Sequence, residues 1–113
     1  MGEDVYIVPA ILTSDPQVFT NQLESYQKFA KRIQLDLMDG TFTANKSLSE
    51  AAIAQLPTNI KIDIHLMSAK PSDHLTQILR LKPALCILHA EANENLLPFF
   101  SEFKKAGIKS GVA

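Results

Sequence analysis

A parallel α/β fold is predicted by three features of the sequence. Strand-like and helix-like segments alternate along the whole chain. The strand segments carry one aliphatic face and one face that turns polar. The connections between segments are short, with no linker, low-complexity stretch or internal repeat. The β-α pattern occurs four times and a fifth strand follows, which implies parallel strands with covering helices.

Val5–Leu12, "VYIVPAIL", reads as the first strand. Pro16–Ala30 reads as a helix, with Pro16 suited to its first turn and Phe19, Leu23, Tyr26 and Ala30 as its apolar stripe. "RIQLDLMD", Arg32–Asp39, is the second strand, and Asp39-Gly40 is a turn signal after it. "SLSEAAIAQL" opens with Ser47 and Glu50 as a capping box and reads as the second helix. Ile60–Met67 is the third strand. Ser72 or Asp73 is expected to cap a helix carrying Leu75, Ile78 and Leu79. Ala84–Glu91 is the fourth strand. Asn93 is expected to cap the last helix, with Pro98 near its start and Gly107 as its stop. "KSGVA" begins a fifth strand.

Two architectures fit this order, an open doubly wound sheet and part of a (β/α)8 barrel. No G-x-G-x-x-G follows the first strand, which weakens the dinucleotide-binding version of the first. The strand faces favour the barrel. Ile33, Leu35 and Leu37 alternate with Gln34, Asp36 and Met38; Ile60, Ile62, Ile64 and Leu66 alternate with Lys61, Asp63, His65 and Met67. An open sheet covered on both sides needs two apolar faces. A barrel needs its aliphatic face toward the helices, and its inner face can turn polar near the top. The predicted fold is therefore a TIM (β/α)8 barrel, covered here from the first strand through the fourth helix and the start of the fifth strand.

Composition narrows the function. The chain has 113 residues, 20% charged and 46% hydrophobic, and a net charge of −1, which suits one soluble domain and disfavours a nucleic-acid partner. No apolar run approaches the roughly 20 residues of a membrane span, and the acidic N-terminus lacks a secretory signal. The single cysteine, Cys86, sits in an apolar strand and fits a reducing, cytoplasmic setting as a buried, inert thiol.

Asp36 and His65 are the leading candidates for chemistry. They fall at corresponding positions near the ends of adjacent strands, so their side chains converge at the carboxyl-terminal mouth, where barrel chemistry sits. Such a pair can bind a divalent ion, and the carboxylate can act as a general base. The competing assignment is a structural hydrogen-bonded pair. Met38 and Met67 follow by two positions and either pack or screen the carboxylate. Asp63 and Lys61 lie deeper and read as a structural pair. His89, followed by Glu91, joins the mouth if its strand has the matching register. His74 reads as solvated.

"VPAILTSD", "LDLMDGTF", "IDIHLM" with a following "KP", and "LHAEA" occur in this order at these spacings. With them the chain, from about Val5 to Ala113, resembles the N-terminal part of ribulose-phosphate 3-epimerases. The D-x-K-x-x-D strand motif of the related phosphate-barrel decarboxylases is absent. The resemblance implies a TIM barrel, a divalent metal ion (Zn, Fe, Mn or Co), and inversion at C3 of a ketopentose 5-phosphate by two carboxylates on opposite faces of the substrate. It implies Asp36 as the first acid/base and a metal ligand, His65 as a metal and substrate ligand, and Met38 and Met67 as substrate-facing screens.

Two residues depart from the family pattern. Gln34 stands where the family has a metal-binding His, and an amide oxygen is a weaker ligand than imidazole. Ala10 stands where the family has a substrate-contacting Ser. The family's second carboxylate, fourth metal ligand and glycine-rich phosphate grip belong to later strands. A complete barrel takes about 200–250 residues, so residues 1–113 are expected to form a single but incomplete domain. Exposed edges at the first and fifth strands make self-association into a homo-oligomer an expectation as well.

Overall fold

The computed structural model describes residues 7–41, 47, 49, 53 and 60–113. Five parallel strands form one sheet in sequential order: β1 (Ala10–Ile11), β2 (Arg32–Met38), β3 (Lys61–Met67), β4 (Leu85–Leu88) and β5 (Lys109–Val112). Three helices are described: α1 (Pro16–Gln27), α2 (Leu75–Leu81) and α3 (Leu97–Lys105). A doubly wound sheet reverses its strand order at a switch point. Here each strand pairs with the next in sequence, so the sheet winds one way only, as a barrel does.

The aliphatic residues read as one face are the core. Ile33, Leu35, Leu37, Ile64, Leu66, Cys86 and Leu88 are all at most 3% exposed. They share one apolar cluster with Phe19 and Leu23 of α1, Ile78 of α2, and Phe99 and Phe103 of α3. The opposite face carries Gln34, Asp36 and Met38 of β2 and His65 and Met67 of β3, all half-buried. Seven register pairs join β2 to β3, from Arg32 with Lys61 to Met38 with Met67.

Helix ends follow local chemistry. Asp15 caps α1, its Oδ1 accepting from the N–H of Gln17 at 2.8 Å and of Val18 at 3.4 Å, and Pro16 follows at the first helical position. The helix closes at Gln27, where the backbone tightens through Lys28 and Phe29, and Ala30 is buried just beyond it. Gly107 stops α3 with φ of 79°, a conformation that glycine adopts without a Cβ clash.

Several local expectations change. The first strand is confined among the described residues to Ala10–Ile11; Pro9 has no N–H to give, and Thr13 Oγ1 already accepts from Asp15 N to open the next turn. Pro71–Asp73 form a 3-10 turn, and neither Ser72 nor Asp73 caps α2, whose N-cap is His74 without a side-chain bond. Ser72 instead gives its N–H and Oγ–H to the two oxygens of Glu94 at 2.8 and 2.7 Å. Asn95, not Asn93, accepts from the N–H of Leu97 at the start of α3. Ser47 is tied to Met38 by two bonds of 2.9 Å; Glu50 and most of the expected second helix lie outside the described residues.

Asp63 pairs with Arg32 rather than Lys61. Arg32 Nε donates to Asp63 Oδ2 at 2.7 Å, while Lys61 is exposed. Arginine on the neighbouring strand reaches across the sheet with a planar donor fork, whereas lysine's strongly hydrated ammonium stays in water. The Asp63 side chain is 8% exposed, so removing its partner strands a buried charge. Arg32→Met is expected to destabilise the fold by on the order of 2–3 kcal/mol in urea titration, and Lys61→Met by less than about 0.5 kcal/mol.

Candidate active site

The polar face of the sheet ascends in levels set by the strand register. Arg32 and Lys61 lie lowest, and Arg32 reaches up to Asp63 one level above. Gln34 pairs with Asp63 in register and with Ala10 on the other side. Asp36 pairs with His65, and Met38 with Met67 one step higher. In β4, Ile87 pairs with His65, so His89, two residues on, stands beside the level of Met67. The structure thus brings together Asp36, His65 and His89, with Gln34 below and the two methionines above.

The contacts are specific. Gln34 Nε2 donates to Asp36 Oδ1 at 2.7 Å. His65 Nδ1 lies 3.4 Å from that same oxygen. His65 Nε2 and His89 Nε2 are 2.7 Å apart. The ring centroids are 4.8 Å apart and the planes 15° from parallel; at that N–N distance the rings meet edge to edge, which puts the N–H in line with its acceptor. His89 Nδ1 lies 3.3 Å from Glu91 Oε2. The side chains of Asp36, His65 and His89 are 19%, 22% and 16% exposed, which leaves them reachable yet partly desolvated.

Two neighbouring ligands of a tetrahedral zinc-like ion, each about 2.0–2.1 Å from it, stand about 3.3 Å apart. The 3.4 Å between Asp36 Oδ1 and His65 Nδ1 fits such a pair. Gln34 does not extend it in this conformation, because its amide nitrogen faces the carboxylate. Among the described residues no group of three or more His, Cys, Asp or Glu side chains is placed to hold a metal ion. By this spacing Asp36 and His65 could supply two ligands, and a complete set would need others.

A second network braces the mouth. Asp39 Oδ1 accepts from the Thr41 N–H at 3.0 Å and the Thr41 hydroxyl at 2.6 Å. Its Oδ2 accepts from the Ser68 hydroxyl and from His74 Nε2, both at 2.6 Å. Thr41 Oγ1 in turn accepts from the Ala69 N–H at 3.0 Å. His74 is thus bound at 14% side-chain exposure, contrary to its reading as solvated. Asp39-Gly40 does form the turn that the sequence signals, with Gly40 at φ 85°. Sequence reasoning missed the network because its partners are up to 35 residues apart; only the polar character of the loops after β2 and β3 hinted at it.

A sheet wound in one direction, with a carboxylate and an imidazole at the carboxyl ends of adjacent strands, defines a barrel-type α/β protein with a polar mouth. The profile of the ribulose-phosphate 3 epimerase family matches residues 6–113, and the chain belongs to that family. The family fold is the TIM barrel, of which the five parallel strands form part. The chain is 26% identical over 114 residues to a ribulose-phosphate 3-epimerase of Chlamydia pneumoniae, covering 98% of this chain and 50% of that protein. It is 27% identical over 112 residues to the enzyme of that name from Rhodobacter capsulatus, covering 96% and 49%. It is 26% identical over 114 residues to the cytoplasmic isoform of Oryza sativa subsp. japonica, covering 95% and 49%. The chain spans about half the length of the curated relatives it matches. Among the described residues no helix is long and apolar enough to cross a membrane.

Partial burial raises the pKa of the Asp39 carboxyl, but the hydrogen bonds from Ser68, Thr41 and His74 outweigh it and hold the group well below the ordinary range. The stabilisation is present above the unfolded value of about 3.9 and is lost as pH falls through the depressed folded value. The urea midpoint of the wild type is expected to drop more steeply than that of Asp39→Asn between about pH 4.5 and about pH 2.5. Parallel slopes would remove Asp39 from the acid limb.

Proposed function

We propose that the chain forms the N-terminal part of a barrel that inverts C3 of a ketopentose 5-phosphate, interconverting ribulose 5-phosphate and xylulose 5-phosphate. The observation that carries the reading is the meeting of Asp36 and His65 in register at the strand ends, on the face of the sheet opposite the apolar cluster. Family membership supports the same reaction.

In this reading Asp36 takes the C3 proton. Gln34 orients its carboxylate from below, and Met38 and Met67 border the level above, where their thioethers screen the site from water. Asp63 is tied to Arg32 and Asp39 to four donors, so neither is placed to return a proton from the opposite side. That second carboxylate comes from outside the described residues. A divalent ion (Zn, Fe, Mn or Co) held by Asp36 and His65 with further ligands would stabilise negative charge developing on the substrate oxygens. The setting is cytoplasmic pentose phosphate metabolism, and the working unit is a homo-oligomer.

The test is exchange of the substrate C3 proton with deuterated solvent by the complete gene product with divalent metal supplied. Asp36→Asn is expected to reduce exchange by at least about 10²–10⁴-fold without loss of fold. No exchange by the wild type would overturn the reading.

The Gln34 amide on Asp36 and the methyl group of Ala10 favour a second reading, a relative that binds sugar phosphate without turning it over. Gln34→His with Ala10→Ser separates the two. A rise in exchange from near zero supports the non-catalytic reading. An already active wild type, little changed by the pair, supports the enzyme. Gln34→His alone is expected to tighten cobalt(II) binding, read by calorimetry, because imidazole is the better ligand.

A further inference from the structure

Beyond Asp36 and His65, the mouth contains an arm that the proposed reaction does not use. His89 meets His65 edge to edge, Nε2 to Nε2 at 2.7 Å, and its other nitrogen lies 3.3 Å from Glu91 Oε2. Exactly one proton fits between the two Nε2 atoms, so one ring donates and the other accepts. With both rings neutral, two assignments follow. If His89 donates, its Nδ1 lone pair faces the Glu91 carboxylate, and His65 must send an Nδ1–H toward Asp36 at 3.4 Å, an ion-pair distance without the hydrogen-bond alignment that His89 Nδ1 has toward Glu91. That Asp36 oxygen already accepts the Gln34 amide at 2.7 Å. If His65 donates, His89 Nδ1–H points at Glu91, each arm contact joins a donor to an acceptor, and His65 Nδ1 is left as a lone pair beside Asp36.

We infer that His89, backed by Glu91, is a positioning residue that keeps the His65 proton on Nε2 and so presents Nδ1, together with the Asp36 carboxylate, to a divalent cation. The inference rests on the metal-assisted reading above and adds the arm that orients its imidazole. A lone pair and a carboxylate oxygen 3.4 Å apart repel each other when nothing lies between them and cooperate when a cation does. An imidazole ligand commonly gives its other N–H to an oriented acceptor, which fixes the tautomer. Here that acceptor is a second imidazole. Glu91 is 64% exposed, so it contributes less than His89.

The experiment uses nitrogen-15 NMR of the His65 ring and cobalt(II) titration of wild type, His89→Phe and His89→Gln. The wild type should carry the His65 proton on Nε2. His89→Phe, which has no acceptor, should move it to Nδ1 and weaken cobalt(II) binding by about 10–100-fold. His89→Gln, whose amide oxygen can accept, should keep the wild-type tautomer and most of the affinity. Circular dichroism of the metal-free variants separates misfolding from this effect, and the glutamine variant carries the test should the phenylalanine variant not fold. The inference is overturned by an Nδ1 proton in the wild type, by a His89→Phe protein that keeps both tautomer and affinity, or by a folded His89→Gln protein that loses the Nε2 tautomer. A wild type with neither cobalt(II) binding nor solvent exchange would sink the metal-assisted reading instead, and the tautomer would still decide the role of His89.

Discussion

The register between β2 and β3 is the constraint on which the site depends. Side chains alternate across a strand, so a slip of one residue would exchange the two faces of a strand. Asp36 would then enter the apolar cluster that now holds Leu35 and Leu37, and those leucines would face the mouth. Burying a lone carboxylate there costs several kcal/mol, and exposing two leucines adds roughly 3–6 kcal/mol. The core residues of the helix-covered side thereby fix the polar residues of the other side. Packing at Ile33, Leu35, Ile64 and Leu66 is what places a carboxylate opposite an imidazole.

Above the sheet, order passes from apolar packing to hydrogen bonds between loops. Asp39 gathers donors from the loops after β2 and β3, and Glu94 holds Ser72 between the loops after β3 and β4. The N–H of Asn93 adds a backbone bond of 2.8 Å to Ala69. Consecutive loops are thus linked to one another as well as to their own strands. This division suits a polar mouth, where a hydrophobic clamp would have to displace the polar groups that line it.

Much of the fold was legible because it is periodic. The alternation in "RIQLDLMD" and "IKIDIHLM" separates core from mouth without knowledge of any partner, and equal strand lengths suffice to set Asp36 against His65. His89 was legible only conditionally, since its place depends on the register of β4. Contacts chosen among equally plausible neighbours were not legible. Arg32 and Lys61 are register partners one level below Asp63, and chemistry of the head group decides between them. Ser72 and Asn93 look like helix caps from their own residue type, yet a carboxylate 22 residues away claims the first and Asn95 takes the place expected of the second. His74 looked solvated because Asp39, its partner, belongs to another loop.

Cys86 gives this architecture a chemical clock. It is the single thiol of the chain, lies at the centre of β4 on the helix-covered side, and has no exposed surface. A thiol reagent therefore reaches it only when the helices part from the sheet or the strand leaves its neighbours, and mouth motions leave it silent. The rate of its modification counts openings of the core alone. Ligands that tighten only the loops would leave that rate unchanged, whereas ligands that stabilise the sheet itself would slow it.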